Sequence, residues 1–375
     1  DINDTTKLTV GLRYDDLTNA TTTFNGGLLA TNWIAAGGAA YDNRMDVPGL
    51  TNYLVQNDSA TNGMVAIQKY LQDDVMVYGS YTTASKGAGV NGGTDPVPYD
   101  QEDTAVLDFG LKAKLLDGAM LLNMNVFQND NSGMLLATIR NTEAFNINVD
   151  AEVKGFEGLM KVFLSDTTSI DLSWLFVDAE ITSDTSTGNY LEPAGATGIL
   201  QYLGPVDPQG TGFLTGAVFN NGQVWYKSGG FNCLTPLGFN PAAGVLCPLS
   251  EANPVSLQGN DLPGVADTSY SFSFTQLFPG DNGVTSARLS YRYRGESNGD
   301  PFNMSRFDVP EQKQFDFLLR YTPNNGDWYV GMYAKNLADD QTMNSIRSGS
   351  NAQGGQLYAS FTDPRTWGIQ FGSSF

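Results

Sequence analysis

The side chains best suited to chemistry in this chain are basic ones at alternate positions of extended segments. In ARLSYRYRG, Arg288, Arg292 and Arg294 share one side of a period-two pattern with Ser290, while Ala287, Leu289, Tyr291 and Tyr293 share the other. Arg320 in QFDFLLRY, and Lys112 and Lys114 in VLDFGLKAKL, hold the matching polar positions of their own segments. Guanidinium groups in such a row can hold an anionic partner through forked, charge-assisted hydrogen bonds. The same cations are expected to pair with acids of neighbouring strands, such as Asp108 and Asp316, and then only keep their face hydrated.

A second set is aromatic. Trp225, Tyr226 and Phe231, preceded by Tyr190 and Tyr202, fall in a polar, Gly- and Pro-rich stretch over 182–265. Exposed rings there stack on a sugar or grip a ferric chelate; alternatively they form a small core of their own. Cys233 and Cys247 lie in the same stretch. With no histidine in the chain they make a poor zinc site, and a local disulfide suits an oxidising envelope, two unpaired thiols being the other reading.

Catalysis finds little support. Zero histidines leave no Ser-His-Asp or Cys-His arrangement, and GAGVNGG (87–93) does not stand between a strand and a helix as a phosphate cradle would. The pairs Asp73-Asp74 and Asp339-Asp340 read as solvated turn residues, and no segment has the oxygen-ligand spacing of a calcium loop. We expect no enzyme activity, no cofactor and no metal.

The elements that must position these residues are strands. Aromatics are 11% of the chain, charged residues 16% and Gly 42 residues, a composition that favours strands and turns over helices. No apolar run is long enough to span a bilayer as a helix, and mean hydropathy is -0.23. A transmembrane barrel has the same average, because lipid-facing and lumen-facing residues alternate. The net charge of -20 argues against nucleic acid and fits an acidic exposed surface.

Alternation predicts twelve strands, near 5–14, 62–70, 74–83, 103–115, 119–129, 148–164, 169–181, 266–278, 284–296, 312–322, 326–336 and 366–375. In the last, Trp367, Ile369, Phe371 and Phe375 share one face, the pattern of a terminal barrel-assembly signal; Trp174 and Trp328 read as lipid-facing or girdle residues. Met134–Arg140 reads as a further strand or a hairpin inside a loop. Short connections such as Gln72-Asp73 and Leu116-Asp117-Gly118 alternate with long ones over 15–61, 84–102, 130–147, 182–265, 297–311 and 337–365. Outer-membrane barrels have this asymmetry, with short periplasmic turns and long extracellular loops. The chain opens on Asp-Ile-Asn, with no initiator Met or leader, so an upstream region is expected.

LQGNDLPGVADTSYSFSFTQLF (257–278), YAKNLADD (333–340) and DPRTWGIQFGSSF (363–375) resemble segments of TonB-dependent receptors, with weaker echoes in VGLRYDD (10–16), DVMVYGSYTTASKGAGVNGG (74–93) and VKGFEG (153–158). The resemblance implies an all-β, antiparallel up-and-down barrel of roughly 22 strands in the Gram-negative outer membrane, plugged by an amino-terminal domain. Residues 1–375 would be its carboxyl-terminal portion, without the plug, the TonB box or about ten strands. It further implies as partners outer-membrane lipid, the plug and amino-terminal barrel half, the TonB energy-transducing complex, the barrel-assembly machinery and a small-molecule nutrient. The basic row then either meets an imported anionic chelate or holds the acidic surface of the plug. The 182–265 and 84–102 loops are expected to capture the ligand, and deleting 182–265 to abolish binding without unfolding the barrel. A structural or adhesive surface assembly, a passive porin and a genuine twelve-stranded barrel are the alternatives.

Overall fold

A computed structural model describes residues 1–24, 51–91, 97–140, 143–188, 200–202, 216–219, 224–226, 254–348 and 357–373. Twelve strands form one antiparallel sheet: β1 (Thr6–Phe24), β2 (Thr51–Gln72), β3 (Val75–Lys86), β4 (Glu102–Leu115), β5 (Met120–Arg140), β6 (Glu143–Ser165), β7 (Thr168–Ile181), β8 (Thr268–Gly280), β9 (Gly283–Arg294), β10 (Gln312–Pro323), β11 (Trp328–Lys335) and β12 (Thr366–Ser373). Each strand pairs with the next in chain order, as in an up-and-down barrel. The sheet is open, with β1 and β12 at its two edges. These are the twelve strands that alternation predicts.

The registers carry one face unbroken across the sheet. Ile67, Gly79, Phe109, Val126, Phe156 and Phe176 are successive partners from β2 to β7, and Leu289, Phe317, Ala334 and Trp367 from β9 to β12. A one-residue slip at any seam would turn every later strand inside out. The apolar face is bare: Leu12 is 81% exposed and Ile369 75%. So continuous an oily surface is what a bilayer covers. Rings sit near both rims of it. Tyr270 stacks on Tyr293 at 4.8 Å beside the long-loop end, and Tyr321 meets Trp328 at 5.6 Å beside the short turns.

Several strand glycines face a ring directly across the ladder. A Cβ on Gly158 would lie 2.2 Å from the Trp174 indole, and one on Gly372 would lie 2.3 Å from the Tyr329 ring. The ring folds over the backbone that glycine leaves open, which restores packing lost with the missing side chain.

Two expectations need correction. The span 130–147 is no long loop, because β5 and β6 continue as one hairpin to Arg140 and Glu143. A bulge between Asn131 and Met134 absorbs the polar run that reads as the start of that loop, with Gly133 at φ +66°. The 15–61 connection is shorter too, since β1 and β2 stay paired out to Phe24 and Thr51. Strands of 19 to 23 residues exceed the roughly ten that a tilted crossing needs, so their upper parts stand clear of the bilayer.

The long-loop end has its own packing. Leu136, Val149, Ala151, Ala179, Ile181, Leu257 and Leu262 form a buried cluster, so the segment 257–265 folds back over the upper ends of β5 to β7. Phe307, Val309 and Ile346 make a second, smaller core, joining the 295–311 connection to a hairpin of Met343–Ser348 with Leu357–Phe361.

Candidate binding surface on the polar face

The opposite face of the sheet is built from small hydroxyls with charges standing among them. β8 contributes Ser269, Ser271, Ser273 and Thr275 to it, the alternate positions to Tyr270, Phe272 and Phe274. Ser271 and Ser173 are hydrogen-bonded at 2.6 Å, and Ser273 donates to Ser290 at 2.9 Å. This serine floor is short enough for the longer side chains of β6, β9 and β10 to reach across. A shallow trough of about 580 Å³ results, lined in part by Asn123, Glu157, Ser271, Arg292, Arg294 and Gln314.

The arginines of β9 come together here, and each is engaged. Arg292 contacts Asp316 at 2.7 Å and donates to Gln314 Oε1 at 3.1 Å. Arg288 and Lys161 share Asp171, at 3.5 and 3.2 Å, across three seams of the sheet. Arg294 donates to the Gly264 carbonyl at 2.9 Å and to Ser297 at 3.1 Å, tying the strand top to the covering segment. Arg320 lies apart, stacked over the Tyr329 ring at 3.7 Å, and Lys112 stands 5.7 Å from the Tyr78 ring. Asp316 is thus a partner as expected, whereas Asp108 accepts from the Asn125 amide at 3.0 Å. These pairs are partly exposed, so each contributes about 0–1 kcal/mol. Their larger effect is to balance charge on a wet wall.

Above the trough the polar face turns apolar, where Val149, Ala151, Ala179 and Ile181 are covered by Leu257 and Leu262. The turn at 298–304 is built around buried carboxylate and amide groups: Asp300 accepts from the backbone of Phe302 and Met304, and Asn298 donates to Asp308 at 2.7 Å. Asn336, at φ 50°, donates to the carbonyls of Asp340 and Asp363 and accepts from the Asp340 N–H. The Arg365 N–H donates to Asp339 at 2.8 Å. That contact, with help from Gln341, holds the Asp339 carboxyl below the usual carboxylate range. Asp267, just ahead of β8, is pushed the other way by burial and then by its neighbours Asp261 and Asp178. The segments 333–340 and 363–365, far apart in sequence, therefore meet in one clasp. Sequence reasoning missed both this clasp and the serine floor; the floor was visible as the S-Y-S-F-S-F-T alternation of 269–275.

Tyr202, Trp225 and Tyr226 belong to a small sheet of Leu200–Tyr202, Gly216–Phe219 and Val224–Tyr226, in which Ala217 pairs with both Tyr202 and Trp225. Tyr190, Phe231, Cys233, Cys247 and Phe375 lie outside the described residues. Trp367, Ile369 and Phe371 project from the apolar face of β12, at 76%, 75% and 70% exposure. The start of the connection after β3, 87–91, leans across its neighbours: Asp58 accepts from the Ala88 N–H, and Asn91 exchanges hydrogen bonds with the Asn146 backbone.

Residues 1–337 match a family model described as TonB dependent receptor-like, beta-barrel. Among solved structures, the chain is similar to the ferric yersiniabactin uptake receptor FyuA from Yersinia pestis, at 16% identity and TM-score 0.64 over 99% of this chain and 43% of that one. It is also similar to the siderophore receptor PiuA from Acinetobacter baumannii, at 15% and 0.61 over 99% and 41%. A third similar structure is the copper transporter OprC, at 15% and 0.60 over 99% and 46%. The chain spans less than half the length of each of these structures. No curated protein sequence matches it.

Proposed function

The chain belongs to the TonB-dependent receptor β-barrel family, and from that premise we propose that it forms the carboxyl-terminal part of the barrel of a receptor that takes up a scarce small-molecule nutrient. Its place is the Gram-negative outer membrane. The observation that supports the reading best is the two-faced sheet, with one face oily across all twelve strands and the other a wet wall of hydroxyls and balanced charges. Edges β1 and β12 pair with the remaining barrel strands, and the polar face meets a plug domain that the TonB energy-transducing complex displaces. Because its arginines are already engaged, the wall serves the plug and the passage more than first capture. Capture belongs to the 182–265 and 84–102 loops, with Tyr190, Tyr202, Trp225, Tyr226 and Phe231 as the gripping rings and Cys233–Cys247 as a staple. The similar receptors named for ferric siderophores and copper point to a metal chelate as the nutrient.

The structure changes how this is tested. Deleting all of 182–265 would strip Leu257 and Leu262 from the cluster over Ile181. Gly188 pairs directly with Pro254, so 189–253 can be replaced by a short turn that leaves the stem in place. In cells lacking other ferric-siderophore and copper receptors, the full-length protein is expected to import at least one member of a ferric-siderophore and copper panel. The shortened protein should stay in the outer membrane and lose that import. Import undiminished by the excision would move the capture surface elsewhere.

A further inference from the structure

The apolar face carries a groove of about 540 Å³ near the short-turn end of β2 to β6, lined by Ile67, Val77, Phe109, Leu111, Met124 and Val126. Gly79 lies in its wall, under a ring of the neighbouring strand. The Phe109 ring lies where a side chain at that position would stand, 2.9 Å from the place of a Cβ. One charge sits at its rim, and that charge is Lys69.

Lys69 is unlike the other cations of its face. The registers place Lys69, Lys154 and Lys313 on the oily side of the sheet. Lys154 contacts Glu152 at 2.9 Å and Asp178 at 3.2 Å, and Lys313 contacts Glu311, all toward the long-loop end. Lys69 makes no ion pair among the described residues. Its ammonium instead donates to the hydroxyls of Thr5 at 2.8 Å and Thr6 at 3.1 Å. An ammonium facing lipid with its charge unbalanced is costly away from the headgroup region, and long basic chains relieve that cost by reaching the headgroups. Among the described residues the third ammonium proton and the Thr6 hydroxyl proton have no acceptor, and both lie at the mouth of an acyl-sized groove.

We propose that this groove and Lys69 form a site for one phospholipid of the periplasmic leaflet, an acyl chain lying along Phe109 and Leu111 and the phosphate held by Lys69 with Thr6. The site rests on the outer-membrane setting of the barrel and not on what the receptor imports. Lipopolysaccharide is excluded by position, since the groove opens at the end of the short turns.

Native mass spectrometry of the full-length receptor tests this. The probes are dipalmitoyl phosphatidylglycerol, dipalmitoylglycerol with the same chains and no phosphate, and lipopolysaccharide. Phosphatidylglycerol should be retained over dipalmitoylglycerol. Lys69→Gln should lower its retention about fivefold, as expected for one cation near a phosphate surface. Lys69→Arg should restore binding and Lys313→Gln leave it unchanged, while Leu111→Trp, which fills the groove, should lower both diacyl lipids together. Equal retention of the two diacyl lipids, no loss in Lys69→Gln, or lipopolysaccharide displacing phosphatidylglycerol would overturn the proposal. Should Lys69→Gln fail to fold, the Lys69→Arg and Leu111→Trp results decide it.

Discussion

Asp316 holds two things at once: it pairs with Arg292 on the barrel wall and accepts from the Asn336 N–H at 2.9 Å at the start of the last long connection. Losing a partly exposed ion pair costs about 0–1 kcal/mol, whereas stranding a buried donor costs about 1–3 kcal/mol. Arg292→Ala should therefore barely shift the urea midpoint of the receptor in lipid vesicles, and Asp316→Ala should shift it clearly. Equal shifts would mean that the Asn336 contact contributes nothing. A second effect at this scale depends on pH. The folded pKa of Asp339 is lowered by the Arg365 N–H, so its contribution is full above the ordinary carboxylate value and is lost as pH falls through the lowered one. Asp267, whose folded pKa is raised, works oppositely, and acidification relieves it. Protection factors of the amides across 336–340 and 363–365, taken against the intrinsic exchange rate at each pH, should thus fall on acidification below the carboxylate range, and Asp339→Asn should show that lower protection already at neutral pH. Wild-type protection factors that stay constant through the acid range would remove the Asp339 clasp from the account.

At the scale of elements, the strands were legible because alternation is a direct image of a sheet with oil on one side and water on the other. Leu289 and Tyr291 against Ser290 and Arg292 could be read without coordinates. The upper hairpin of β5 and β6 was not, because the polar run at 130–133 reads as the start of a long loop until the bulge is seen to reset the register. The covering segment was illegible for another reason: Leu257 and Leu262 are single apolar residues among Gly, Asn, Asp and Pro, and only their contacts reveal a core. The bulge gives a sharp test. A Cβ on Gly133 would sit 2.6 Å from the Gln101 carbonyl at a positive φ, so Gly133→Ala should cost about 1–3 kcal/mol. Amide exchange should then quicken from Met134 to Arg140 while β8 to β10 stay protected. Protection unchanged in both regions would contradict the bulge geometry.

At the scale of the whole molecule, 40 acidic residues outnumber 20 basic ones, and on the polar wall Lys161, Arg288 and Arg292 are paired with acids while Arg320 is stacked on a ring. The open sheet leaves two strand edges whose backbone groups need partners, which a closed barrel supplies. Everything depends on which face meets lipid. Nitroxide labels placed one at a time at 287–294 in the full-length receptor, reconstituted in phospholipid vesicles, read that directly through oxygen dissolved in the acyl chains. Oxygen accessibility should alternate along β9, high at Ala287, Leu289 and Tyr291 and low at Arg288, Ser290 and Arg292. A flat profile, or one with the arginine positions in the lipid, would contradict the account.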